Sequence, residues 1–213
     1  MTPLFGSGRK PTLRFEYRAL APSGLIDQCL SIHNRTTAPV VLAARVAMCD
    51  SLGQPLPEVT VRSVNDSLEG GQVLVPGENV DFLSFSGPGA ELVRSVQVQV
   101  DAVEEVAFPE VRGVVEVVPC DGLGNEARAG DSGLEQLALV NHGMTAVPVR
   151  VRALAMDQPP PGQPQQVVHV LDLVGLVTAP PGTSYVALPE EVRAELEQLG
   201  RQQWVSVKAA FAR

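Results

Sequence analysis

Basic charge, aromatic side chains, paired cysteines and long apolar runs are all scarce in this chain, and each scarcity excludes a class of protein. Lys and Arg total 16 against 24 Asp and Glu, which leaves a net charge of −8. A nucleic-acid binder needs a basic face, and an anionic membrane surface attracts polybasic segments, so neither partner fits. Aromatics make up only 4% of a chain that is 45% hydrophobic, so its cores must be built from Val, Leu and Ala. No stretch approaches the roughly 18 apolar residues that span a bilayer. The N-terminal MTPLFGSGRKPTLRF has no apolar h-region and no small-residue cleavage pattern, which predicts a cytoplasmic protein.

The three cysteines, Cys29, Cys49 and Cys120, are an odd count without metal-ligand spacing. Cys29 and Cys49 could lie across neighbouring strands and pair, but reduced, buried thiols are the usual state in a cytosolic setting. Catalytic motifs are missing too. There is no HExxH, GxSxG, Walker-type or dinucleotide-binding pattern. The Gly-rich stretch Gly122–Gly133 lacks Lys and a following helix, so it is no phosphate cradle.

What the chain does have is a copy of itself. Leu30–Asp50 (LSIHNRTTAPVVLAARVAMCD) and Leu137–Asp157 (LALVNHGMTAVPVRVRALAMD) align without gaps at an offset of 107 residues. Asn34 falls on Asn141, Val40 on Val147, Arg45 on Arg152 and Asp50 on Asp157. The same offset carries Val98-Gln-Val100 onto Val205-Ser-Val207. Such a period is too long for a solenoid and suits a duplicated small domain. The boundary falls in the short segment Ala107–Val111, giving domains at 1–107 and 108–213 whose relative orientation Pro109 restricts.

Alternating apolar residues and frequent turn signals predict short strands throughout. They fall at Thr12–Arg18, Ile26–His33, Val40–Met48, Val59–Val64, Gly71–Val75, Asn79–Phe85 and Val93–Val100. The second half repeats the plan at Val114–Val118, Leu137–Asn141, Val147–Met156, Gln166–Val170, Val174–Thr178 and Tyr185–Leu188. Leu42, Ala44, Val46 and Met48 should face one core, and Val149, Val151, Ala153 and Ala155 the other. Arg45, Arg150 and Arg152 fall on the opposite faces and resist burial. Pro189–Gly200 breaks the strand pattern. It has Pro at its start, acids in its first turn, Gly at its end, and Val192, Leu196 and Leu199 on one stripe, so it reads as a helix. Trp204 should plug that helix onto the sandwich. The fold class is all-β, two tandem immunoglobulin-like β-sandwiches with one short helix in the second.

The strand ends resemble a known family. Val46-Ala47-Met48-Cys49-Asp50 followed by Gly53, with Asn34 upstream and Val75-Pro76-Gly77-Glu78 and Phe82 downstream, is similar to the FxLYD type of bacterial immunoglobulin-like module. The second copy offers Ala153-Leu154-Ala155-Met156-Asp157, with Asn141 upstream and Pro181-Gly182 downstream. The signature Phe, Leu and Tyr are replaced, and only the Asp is kept in both copies. The resemblance implies a sandwich fold and binding of a ligand or partner at or outside the cell surface.

Candidate chemistry is thin. His33 and His142 flank the aligned Asn positions, and His169 sits in an alternating strand. His33 and His142 would share a metal only if the halves folded face to face, and two ligands do not complete a site. Asp50, Asp157, Asn34 and Asn141 could suggest Ca²⁺ sites, but turns demand the same residues. Asn34-Arg-Thr36 and Asn65-Asp-Ser67 read as loops, although both are sequons. The run Pro159–Pro164 is a rigid loop or a polyproline ligand. The expectation is a chain without catalytic residue, metal or cofactor that binds another protein, one with a basic patch. The alternative is a metal-dependent sensor or enzyme with His33, His142 or Cys residues in an interdomain cleft.

Overall fold

In a computed structural model the chain is described at residues 12–18, 28–111, 113–158 and 166–213. The Pro159–Pro164 run and the turn at 21–24 lie outside these residues. The architecture is all-β, with a single α-helix among the described residues. In chain order the strands are β1 (Leu13–Arg18), β2 (Cys29–Asn34), β3 (Val40–Cys49), β4 (Thr60–Ser63), β5 (Gly77–Ser86) and β6 (Ser95–Glu105). The second half has β7 (Val115–Cys120), β8 (Gln136–Asn141), β9 (Val147–Met156), β10 (Val167–Ala179), β11 (Gly182–Ala187), α1 (Glu190–Gly200) and β12 (Trp204–Phe211).

In the first half a four-stranded sheet, β1-β2-β5-β4, faces the β3-β6 pair across a core that includes Leu30, Ile32, Leu42, Met48, Leu83 and Phe85. In the second half β11-β8-β7 and β10-β9-β12 enclose Leu137, Leu139, Val149, Val151, Ala153 and Ala155. Strand side chains alternate, so β3 turns Leu42, Ala44, Val46 and Met48 toward that core while Ala43, Arg45 and Ala47 point outward.

The repeat is structural as well as sequential. Adding 107 to the bounds of β2 and β3 gives the bounds of β8 and β9. Both copies carry the same buried staple. Asn34 Nδ2 donates to the carbonyls of Ala38 and Leu74, each at 2.9 Å, and its Oδ1 accepts from Thr36 N at 2.9 Å. Asn141 Nδ2 donates to Thr145 and Ala179, also at 2.9 Å, and its Oδ1 accepts from Gly143 N at 2.9 Å. A buried amide with both ends satisfied ties the strand-end loop to the facing sheet, which explains an Asn here better than glycosylation or metal binding does.

The register drifts toward the end of each half. Val98 lies opposite Val46, whereas the residue opposite Ala153 is Val207, so Val98 corresponds to Val207 rather than Val205. Asp101 is skipped in the β3-β6 ladder, a bulge that shifts the count again. Gly71–Val75 forms isolated bridges only, Val40 to Leu74 and Gln72 to Ala212. In the second half the stretch expected as two strands is the single strand β10, kept against β9 by three register shifts.

The helix forms as its sequence requires. Pro189 occupies the N-cap, Glu190 and Glu191 sit in the first turn, and Leu196 is buried with Val192 and Leu199 beside it. Trp204 does not plug it. Its cross-strand partner is Met156, on the opposite face of the sheet from Leu196, and it stays 52% exposed. The connection between halves is packed. Val106, Phe108 and Val111 rest on the second core, and the rings of Phe108 and Phe211 meet edge to face at 5.6 Å.

Candidate interaction surfaces

Arg152 departs furthest from the sequence expectation. It is buried, only 6% exposed, because the first half covers the outer face of β9. Its Nε donates to Asp172 at 2.6 Å, one terminal nitrogen to Asp66 at 2.6 Å, and the other to the carbonyl of Val64. Burial alone would lower the pKa of this guanidinium, but the hydrogen bonds and charges of Asp66 and Asp172 outweigh that and raise it. Apolar contact surrounds the network, with Val64 and Phe82 of the first half against Leu154, Met156, Val167 and Val170 of the second.

The loop that grips Arg152 is itself built. Asp81, fully buried, accepts from the backbone of Asn65 at 2.8 Å, of Phe82 at 2.7 Å and of Ser67 at 3.3 Å, and from the Ser63 hydroxyl. Asp66 adopts a left-handed φ of 56°, and its carbonyl accepts from Gly71 N at 2.8 Å. A Cβ on Gly71 would come within 2.6 Å of the Asp66 Cβ, so only glycine fits there. Arg45, one repeat earlier, forms instead an exposed bidentate pair with Asp101.

A second feature lies at two loop tips. Asp50-Ser-Leu-Gly53 after β3 and Asp121-Gly-Leu-Gly124 after β7 close in the same way. In the first, Asp50 Oδ1 accepts from Leu52 N at 2.8 Å and Gln54 N at 2.9 Å. In the second, Asp121 Oδ1 accepts from Leu123 N and Asn125 N, both at 2.9 Å. Gly53 and Gly124 take positive φ, 77° and 86°, at the residue that returns the chain. The turn chemistry accounts for the Asp and the Gly but not for the Leu between them. Leu52 is nonetheless 81% exposed and Leu123 90% exposed. The signal CDSLGQ and CDGLGN is visible in the sequence at a spacing of 71, which a search at 107 passes over. Asp157, the aligned partner of Asp50, serves a different loop and accepts from Gln166 N at 2.7 Å.

Asp121 also accepts from the Asn125 side chain at 2.9 Å. That bond, with backbone N–H groups of Asn125, Leu123 and Gly124, holds its carboxyl below the usual carboxylate range. A folded pKa below the unfolded one makes ionisation favour the turn. Its contribution is complete above the ordinary carboxylate value and is lost as pH falls through the lower folded value. A carbon-detected NMR titration should show Asp121 with a depressed midpoint, and an ordinary midpoint would contradict this geometry.

The histidines are placed apart. His33 lines a hollow on the outer face of the first half with Arg14, Glu16, Ser31, Arg35 and Glu78. His142 is 3.6 Å from Glu116, and His169 is 3.4 Å from Glu195 of α1. Cys29, Cys49 and Cys120 are free and buried. Among the described residues no three His, Cys, Asp or Glu side chains cluster as metal ligands, and no helix is long and apolar enough to cross a membrane. No protein-family model, curated protein or solved structure matches the chain.

Proposed function

We propose that the chain is a non-catalytic protein-binding or assembly module, two diverged immunoglobulin-like sandwiches of the FxLYD type acting as one rigid body. The observation that carries this reading is the pair of matching turns, each holding an exposed leucine that folding does not require. A partner would cover each tip in an apolar pocket, and single anchors of this kind supply much of the energy of an interface. The seam around Arg152 keeps the tips at a fixed separation, which favours simultaneous engagement of both. The net charge of −8 favours a partner with a basic rim, so association should weaken as salt rises.

Affinity capture with the wild type and with a Leu52→Ser, Leu123→Ser double variant tests this. Both substitutions lie at exposed tips, so the variant should melt like the wild type. Its capture of the partner should fall strongly, and undiminished capture would remove the leucines from the interface.

A further inference from the structure

The two sheets β1-β2-β5 and β7-β8-β11 are counterparts, and their outer faces differ in a way that folding does not explain. Outward positions place Arg14, His33 and Glu78 in one cross-strand row and Glu16, Ser31 and Val80 in the next. Arg35 stands two residues beyond His33, with its backbone N–H bound to the carbonyl of Thr12 at 2.9 Å. The short Ser31 side chain on the central strand leaves a hollow of about 220 Å³ among these longer neighbours. Ser31 is its floor, 9% exposed, while Arg14, Glu16, His33, Arg35 and Glu78 stand out to solvent. Among the described residues none of those five side chains is engaged in an ion pair.

The second half serves as an internal control. By the same register, β7 and β8 place Glu116 where Arg14 stands, Val118 for Glu16, Ala138 for Ser31 and Val140 for His33. β11 places Thr183 for Glu78. The fold therefore accepts neutral side chains at four of these positions, so Glu16, His33 and Glu78 are not needed to form the sheet.

We propose that this hollow binds a small zwitterion, an amino acid or short peptide with a carboxylate and an ammonium group. Arg14 across the strand and Arg35 along it neighbour His33, and all three line the hollow, so their N–H groups take the carboxylate. Glu16 and Glu78 line the same hollow. They pair with the ammonium and repel phosphate or sulfate, so selectivity comes from repulsion as much as from attraction. The site is separate from the leucine tips and stands or falls independently of the partner.

Amide NMR titration of the full chain with free amino acids, a tripeptide and inorganic phosphate tests the proposal. Saturable shifts at Ser31 and His33 are expected with the zwitterions and none with phosphate. Combining Arg14→Ala with Arg35→Ala should weaken zwitterion binding by about tenfold or more, as loss of charge-assisted hydrogen bonds requires. Glu16→Gln with Glu78→Gln should weaken the zwitterions and admit phosphate. All four positions are exposed, so the variants should fold. The Leu52→Ser, Leu123→Ser variant should bind zwitterions like the wild type. Absence of saturable shifts, shifts that survive the arginine substitutions, or tighter binding of phosphate by the wild type would each overturn the proposal.

Discussion

Arg152→Ala is expected to destabilise the chain by about 3 kcal/mol, the lower end of the range for removing one partner of a buried ion pair. The lower end applies because the Asp172 side chain, at 65% exposed, recovers water when the arginine is gone. Asp66, at 26% exposed, recovers less, and the Val64 carbonyl is left buried without its donor. Arg45→Ala removes the aligned arginine of the first copy. The Arg45 side chain is 69% exposed and that of Asp101 is 40% exposed, so water and salt already screen that pair. Stability should be essentially unchanged. Urea melts of the two variants measure the contrast directly, and equal losses would contradict the seam.

Met48→Asp is expected to unfold the first core, at a cost above about 4 kcal/mol for placing a carboxylate among apolar side chains. Met48 is 7% exposed and packs with Leu30, Leu42 and Leu83. Ala47→Asp puts the same group one residue away on the solvent face and should be well tolerated. Circular-dichroism melts separate the two, and a native-like melt for Met48→Asp would reverse the assignment of faces on β3.

Much of this fold is legible in the sequence because the 107-residue match is gapless over β2 and β3. β2 and β3 return as β8 and β9, and the periods of two and of 3.6 residues mark most of the other strands and α1, whereas Gly71–Val75 forms bridges only. Legibility failed where a residue's surroundings came from distant parts of the chain. An arginine opposite a core face normally points to water. Arg152 does not, because a loop 86 residues earlier, built on Asp81 and Gly71, lies over it. Nearness in sequence to the helix points Trp204 toward it, whereas β-register puts it on the other face. Bulges such as Asp101 change the repeat offset without leaving a mark in composition. The leucine tips are hidden for a different reason: they follow β3 and β7, which are not counterparts, so the 107-residue offset conceals them.

The seam around Arg152 should hold the two leucine tips at one separation. Spin labels introduced at 52 and 123 as unnatural amino acids leave the buried cysteines untouched and allow the distance between the tips to be measured by pulsed electron resonance. The expected result is a single narrow distribution in the otherwise wild-type chain, which broadens in Arg152→Ala. A broad distribution with Arg152 intact would show that the seam does not fix the tips.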